Sequence, residues 1–101
     1  MPWFVYILEC AGGRPYVGMT ANVDARFSQH LAGEAAAFTR KHPPVRVIFQ
    51  EPHETEAAAV RRERQLKRWS AAKKFALSQG RLDDLRMLAR RREARPGSAG
   101  A

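Results

Sequence analysis

The stretch that decides the fold reads Trp3-Phe4-Val5-Tyr6-Ile7-Leu8, then Glu9-Cys10-Ala11-Gly12-Gly13-Arg14, then Pro15-Tyr16-Val17-Gly18-Met19-Thr20. Every residue from Trp3 to Leu8 is aromatic, β-branched or leucine, without the polar alternation of a half-solvated strand. This predicts a strand at about 3–9 that is covered on both faces. Gly12 and Gly13 offer the positive φ angles of a tight turn, so the run from Pro15 to Met19 is expected to return antiparallel as a hairpin. Pro15 lacks an N–H and belongs at a strand start or a sheet edge.

Downstream, Thr20 or Asn22 can cap a helix over about 22–32. At ~100° per residue, Val23, Phe27 and Leu31 form its apolar stripe, with Arg26 and His30 together on one flank as i and i+4 neighbours. Gly33 can end this helix, and a polar loop through Arg40-Lys41-His42-Pro43-Pro44 leads to a third strand, Val45 to Phe49. Glu54 to Trp69 is rich in helix formers, with Glu54 and Glu56 placed for the positive end of the dipole. Ser70 can cap a further helix to Ser78, stopped by Gly80. Leu82, Leu85, Leu88 and Ala89 suggest a last helix within 81–93, and 94–101 has nothing to bury. The expected organisation is one domain over 1–80, a helix packed on or extending it, and a mobile tail.

With 101 residues, the chain has room for one domain. Its 18 Lys and Arg against 10 Asp and Glu give a net charge of +8, which points to a polyanionic partner. Cys10 is the only cysteine, so neither an intramolecular disulfide nor a cysteine-based zinc site is available, and a reducing compartment is expected. No run approaches the roughly 18 apolar residues of a membrane span, and the first residues lack a basic leader. The expectation is a soluble, cytoplasmic protein.

Between 61 and 74 there are seven basic residues and one acid, Glu63. Its helical angle puts it on the same face as Ala59 and Leu66, the face turned to the sheet. A carboxylate there needs a cation, a metal or hydrogen-bond donors, and a salt bridge to a neighbouring arginine is the plain alternative to a functional role. Tyr6 and Tyr16 lie on adjacent strands and become neighbours if the register puts them on one face; packing is the ordinary role for each.

Taken together, Tyr6, Tyr16-Val17-Gly18, Thr20, Arg26, His30 and Glu63 resemble the GIY-YIG nuclease superfamily, especially its small stand-alone bacterial members. The first signature tripeptide is Phe4-Val5-Tyr6, the second Tyr16-Val17-Gly18; Arg26 and His30 match the helix-borne basic pair, and Glu63 the metal-binding carboxylate. Phe4 and Val5 depart from the usual glycine and isoleucine. Many members carry an asparagine after the glutamate, whereas here Asn22 is the only asparagine.

The resemblance covers about residues 2–80. It implies an α/β (α+β) fold, a single domain whose three-stranded antiparallel sheet is flanked by helices. It also implies metal-dependent hydrolysis of phosphodiester bonds, with DNA the expected substrate, in structured or repair-intermediate form, and RNA the other candidate. One divalent cation, Mg2+ or Mn2+, would be held by Glu63, with waters completing its shell. Arg26 would stabilise developing negative charge, and Tyr6 would act as general base with Tyr16 positioning water or phosphate, an assignment that can be reversed. His30 would accept a proton or hydrogen-bond the phosphate.

Gly18 would leave backbone room beside the substrate, and Thr20 would cap a helix or contact a ligand. Lys67, Arg68, Lys73 and Lys74 would contact phosphates without reading sequence, unless they are simply a solvated helix face. Trp69 can stack on a base or pack beside Leu66. The alternative function is a catalytically weak nucleic-acid-binding module that keeps this fold.

Overall fold

In the computed structural model, which describes residues 2–80, the hairpin is formed by β1 (Trp3–Cys10) and β2 (Arg14–Thr20). Gly12 and Gly13 turn the chain at φ 81° and 70°, a region costly for any residue with a Cβ. Next come α1 (Val23–Leu31), α2 (Ala37–Lys41), β3 (Pro44–His53), α3 (Glu56–Lys67) and α4 (Ala71–Ser78). The strands form one antiparallel sheet in the order β2-β1-β3, so the fold is the expected α+β domain.

Because β1 is the central strand, both its faces are covered, and Val5, Tyr6, Ile7 and Leu8 are all buried. Alternation sorts them. Val5 and Ile7 join Val17 on one face and pack against Ala59 and Leu66 of α3. Tyr6, Leu8 and Cys10 take the other, with Tyr16, Phe27 of α1 and Val47 around them. The thiol of Cys10 is free and buried, its pKa pushed up by burial and by Glu9.

Side-chain caps set three helix starts: Asn22 accepts from the Ala25 N–H, Thr55 from that of Ala58 and Ser70 from that of Lys73. Each is worth about 1 kcal/mol. Asn22, not Thr20, is therefore the cap of α1. Thr20 instead closes the turn before it, accepting from the Asn22 N–H at 3.2 Å.

The structure departs from the sequence reading in four places. β3 runs on to His53 beyond the expected 45–49, because Gln50, Glu51, Pro52 and His53 continue the ladder with β1 opposite Tyr6, Val5, Phe4 and Trp3. Its two prolines are tolerated at a sheet edge. The expected polar loop contains α2, whose five residues have no side-chain cap. On α1, Leu31 is 58% exposed, and His30, expected on the flank, is the buried residue of the last turn. The helix predicted over 54–69 starts only after the Thr55 cap and ends at Lys67, leaving Trp69 beyond it.

Among the described residues no helix is long and apolar enough to cross a membrane. The helix expected within 81–93 and the tail 94–101 lie outside the described residues.

Candidate active site

The hairpin register pairs Tyr6 with Gly18 and Leu8 with Tyr16, so both tyrosines share the face covered by α1 and α2. The Tyr6 ring lies over Gly18. A Cβ built on Gly18 would stand 2.5 Å from Cζ of Tyr6 and 2.9 Å from Cε2, inside van der Waals contact. The room that Gly18 provides is therefore occupied by Tyr6.

From Tyr6 a buried chain of hydrogen bonds runs inward. Its hydroxyl is 2.7 Å from His30 Nε2, and His30 Nδ1 is 2.7 Å from Thr39 Oγ1. Thr39 in turn donates to the carbonyl of Ala36 at 3.2 Å. Tyr6, His30 and Thr39 are 2%, 1% and 1% exposed, so these bonds are made without competing water. The Tyr16 ring meets the His30 ring edge-on at 5.1 Å, and Phe38 stacks on Tyr16 at 5.7 Å.

Burial raises the pKa of Tyr6 well above that of an ordinary phenol, with Tyr16 and Glu63 adding to the rise and Arg26 opposing it. Tyr16 is raised by burial and then by Glu63, again against Arg26. Burial and the neighbouring Arg26 lower His30. At neutral pH the resting site thus holds two neutral phenols and a neutral imidazole.

Arg26 from α1 and Glu63 from α3 each act on both phenols. Both charges are thus near enough to be felt at the phenols, although α3 packs chiefly on the opposite face of the sheet. Glu63 is one-fifth exposed and is approached at 3.8 Å by the ammonium of Lys67, one helical turn on. Its basic neighbour is that lysine and not an arginine. Arg62 is committed elsewhere, to Glu51 of β3 through Nε at 2.9 Å and Nη2 at 3.3 Å.

No cluster of three or more His, Cys, Asp or Glu side chains occurs among the described residues. Both ring nitrogens of His30 are already engaged. A lone carboxylate, with no thiolate or free imidazole beside it, suits a hard cation that keeps most of its waters, and does not suit zinc.

The basic residues divide between two places. Lys67 reaches over the Tyr16 ring at 6.0 Å, and Lys74 has its pKa lowered by burial and by Lys67 nearby. Arg68 is about 140° around α3 from Glu63 at ~100° per residue, and lines an open cleft of about 420 Å³ with Arg61, Arg64, Gln65 and Trp69. Trp69 packs against the core, while Arg62 and Lys73 lie over its ring at 5.5 and 5.0 Å. Thr39 and Phe38 of α2 were not anticipated; neither stands in a capping or periodic pattern that would single it out.

This arrangement, a hairpin presenting two tyrosines with arginine, histidine and glutamate brought in by flanking helices, defines the GIY-YIG class. The GIY-YIG catalytic domain family matches residues 2–76, and the chain belongs to it, a nuclease family. A UPF0213 protein of Cupriavidus pinatubonensis is 43% identical over 74 residues, 73% of this chain and 82% of that protein. One from Staphylococcus aureus is 38% identical, across 73% of this chain and 90% of its own. The solution NMR structure of a UPF0213 protein from Bacillus halodurans is similar with a TM-score of 0.50 and 37% identity, covering 78% of this chain and 84% of that one.

Proposed function

We propose that the protein is a divalent-metal-dependent endonuclease that hydrolyses phosphodiester bonds in DNA, with structured or repair-intermediate DNA as its substrate. The observation that carries this reading is the buried contact between Tyr6 and His30 at 2.7 Å, with Tyr16 against the same imidazole and the charges of Arg26 and Glu63 felt at both phenols.

Hydrolysis requires a base for water, neutralisation of charge on phosphorus and a place for the proton. Neutral Tyr6 is a poor base alone. It becomes effective by taking a proton from water on its oxygen while its own proton passes to His30 Nε2, leaving hydroxide to attack and an imidazolium within the fold. Arg26 lies in the same electrostatic field as the phenols and stabilises the additional negative charge of the phosphorane. Tyr16 orients the water or a phosphate oxygen. Glu63 would hold one Mg2+ or Mn2+, which supplies charge neutralisation at the phosphate when bound. Lys67, which reaches over the Tyr16 ring, and Lys74, whose pKa Lys67 lowers, hold the nucleic-acid backbone together with Arg68 and Lys73.

One observation favours the second reading, a catalytically weak binding module. Asn22, the only asparagine, is spent on capping α1 and cannot stand in for the asparagine that many members of the superfamily carry after the glutamate.

Incubating the protein with branched, nicked, single-stranded and duplex DNA, and with RNA, in the presence and absence of Mg2+ separates the readings. Cleavage that needs the metal and is lost in Glu63→Ala, with affinity nearly kept, supports the nuclease. Binding without metal-dependent cleavage by the parent protein selects the module.

A further inference from the structure

We infer that Thr39 is a positioning residue that fixes His30 in its Nδ1–H tautomer, so that the Nε2 lone pair faces the Tyr6 hydroxyl. Its catalytic meaning rests on the nuclease reading above; the tautomer itself does not.

The argument is a proton count. A threonine hydroxyl has one proton to give. The carbonyl of Ala36 can only accept; it takes the Arg40 N–H at 3.1 Å, and its second lone pair, 3.2 Å from Thr39 Oγ1, is assigned the proton of Thr39. With that assignment Oγ1 is the acceptor at 2.7 Å from His30 Nδ1, which carries the hydrogen of the bond. In a neutral imidazole the other nitrogen is then bare. Nε2 accepts from Tyr6 at 2.7 Å, and the phenol proton points towards the group that is to receive it. The opposite tautomer would place an N–H against the phenol oxygen and leave no lone pair for its proton.

Burial makes the arrangement decisive. His30 and Thr39 are each 1% exposed, so water cannot readily replace a missing partner. The groups acting on this pair from the surrounding elements are Tyr6 of β1, Tyr16 of β2 and Arg26 of α1, while Glu63 of α3 acts on the two tyrosines. Arg26 is cationic and disfavours an imidazolium at rest, which keeps the question one of tautomer. α2 is five residues long, and Thr39 is its only buried residue.

The test is 15N NMR of the imidazole nitrogens in the free protein at neutral pH, with the His30 signals identified by their loss in His30→Gln. The wild type is expected to show a protonated Nδ1 and a bare Nε2. Thr39→Val should shift the ring towards the Nε2–H form, and Thr39→Ser should restore the wild-type pattern. In single-turnover cleavage, Thr39→Val is expected to lose on the order of 10²-fold in rate, the lower range of what a positioned base supplies, with affinity unchanged and the serine variant recovering.

A wild-type ring protonated on Nε2 overturns the proposal without any variant having to fold. So does a valine variant that keeps the Nδ1–H tautomer, or one that switches tautomer and cleaves at the full rate. A wild type that has the expected tautomer but cleaves nothing with Mg2+ or Mn2+ refutes the nuclease reading and leaves Thr39 as the residue that sets the tautomer.

Discussion

The ring of Tyr6 occupies the space that a side chain on Gly18 would fill. This one relationship joins the two halves of the hairpin to His30, because the glycine opposite Tyr6 in the register leaves room for the phenol to pass over β2 and reach the imidazole.

Gly18→Ala is therefore expected to act as an overpacking change. The added methyl must displace the Tyr6 ring, which is 2% exposed and has little freedom to move. A loss of about 1–3 kcal/mol in stability is expected, measurable by urea unfolding. Cleavage should fall further than stability alone explains, since an ~1 Å misplacement of a reacting group can cost about 10²-fold. An alanine variant with parental stability and rate would mean that Tyr6 is not held as described.

The pH dependence follows from His30. Its pKa is lowered by burial and by Arg26, so the ring stays neutral below the ordinary histidine value of 6.5. If neutral His30 must receive the Tyr6 proton, the cleavage rate should hold from neutrality down past pH 6.5 and fall only below it. A rate–pH profile under single-turnover conditions tests this, and a half-loss above pH 6.5 would contradict it.

Alkaline stability tests the burial of the phenols. The folded pKa of Tyr6 lies above its unfolded value of 10.0, and that of Tyr16 is raised too. Above pH 10 the unfolded chain loses these protons while the folded chain keeps them, so stability must fall as pH rises through that region. Below pH 10 both states are protonated and the effect vanishes. Thermal unfolding between pH 8 and 11 should show this slope, and Tyr6→Phe should flatten it. An equal slope in the two proteins would contradict the assignment.

A contribution of Lys67 to DNA binding can be separated from its contribution to folding. Lys67 is half exposed, reaches over Tyr16 and stands 3.8 Å from Glu63. As a phosphate contact, it should contribute about one unit to the salt slope of DNA affinity. Lys67→Ala is expected to lower that slope by about one in a titration against salt, whereas an exposed ion pair of this length contributes little to folding. An unchanged slope would remove Lys67 from the binding surface.

The hairpin was legible because a continuous apolar run and paired glycines admit few other structures. The packing face of α3 was legible too, because helical angle relates Ala59 to Leu66 without knowledge of the rest. What escaped the sequence was set by tertiary partners. β3 extends to His53 because β1 offers it a ladder, not because Gln50, Glu51 and Pro52 favour strands. α2 has no side-chain cap and is too short to display a period. With α2 unseen, the cover it gives one side of α1 was unseen as well, and so Leu31 and His30 exchanged their expected places. The basic stretch read as one track because charge along a sequence does not reveal which side of α3 each cation takes.

The most direct test is single-turnover cleavage by Tyr6→Phe, with DNA affinity measured in parallel. The phenylalanine keeps the ring over Gly18 and removes only the oxygen bonded to His30. Metal-dependent cleavage by the parent, with a loss of about 10²-fold or more in the variant and little change in affinity, is the predicted result. A variant that cuts DNA as fast as the parent would show that the tyrosine–histidine pair is not the base.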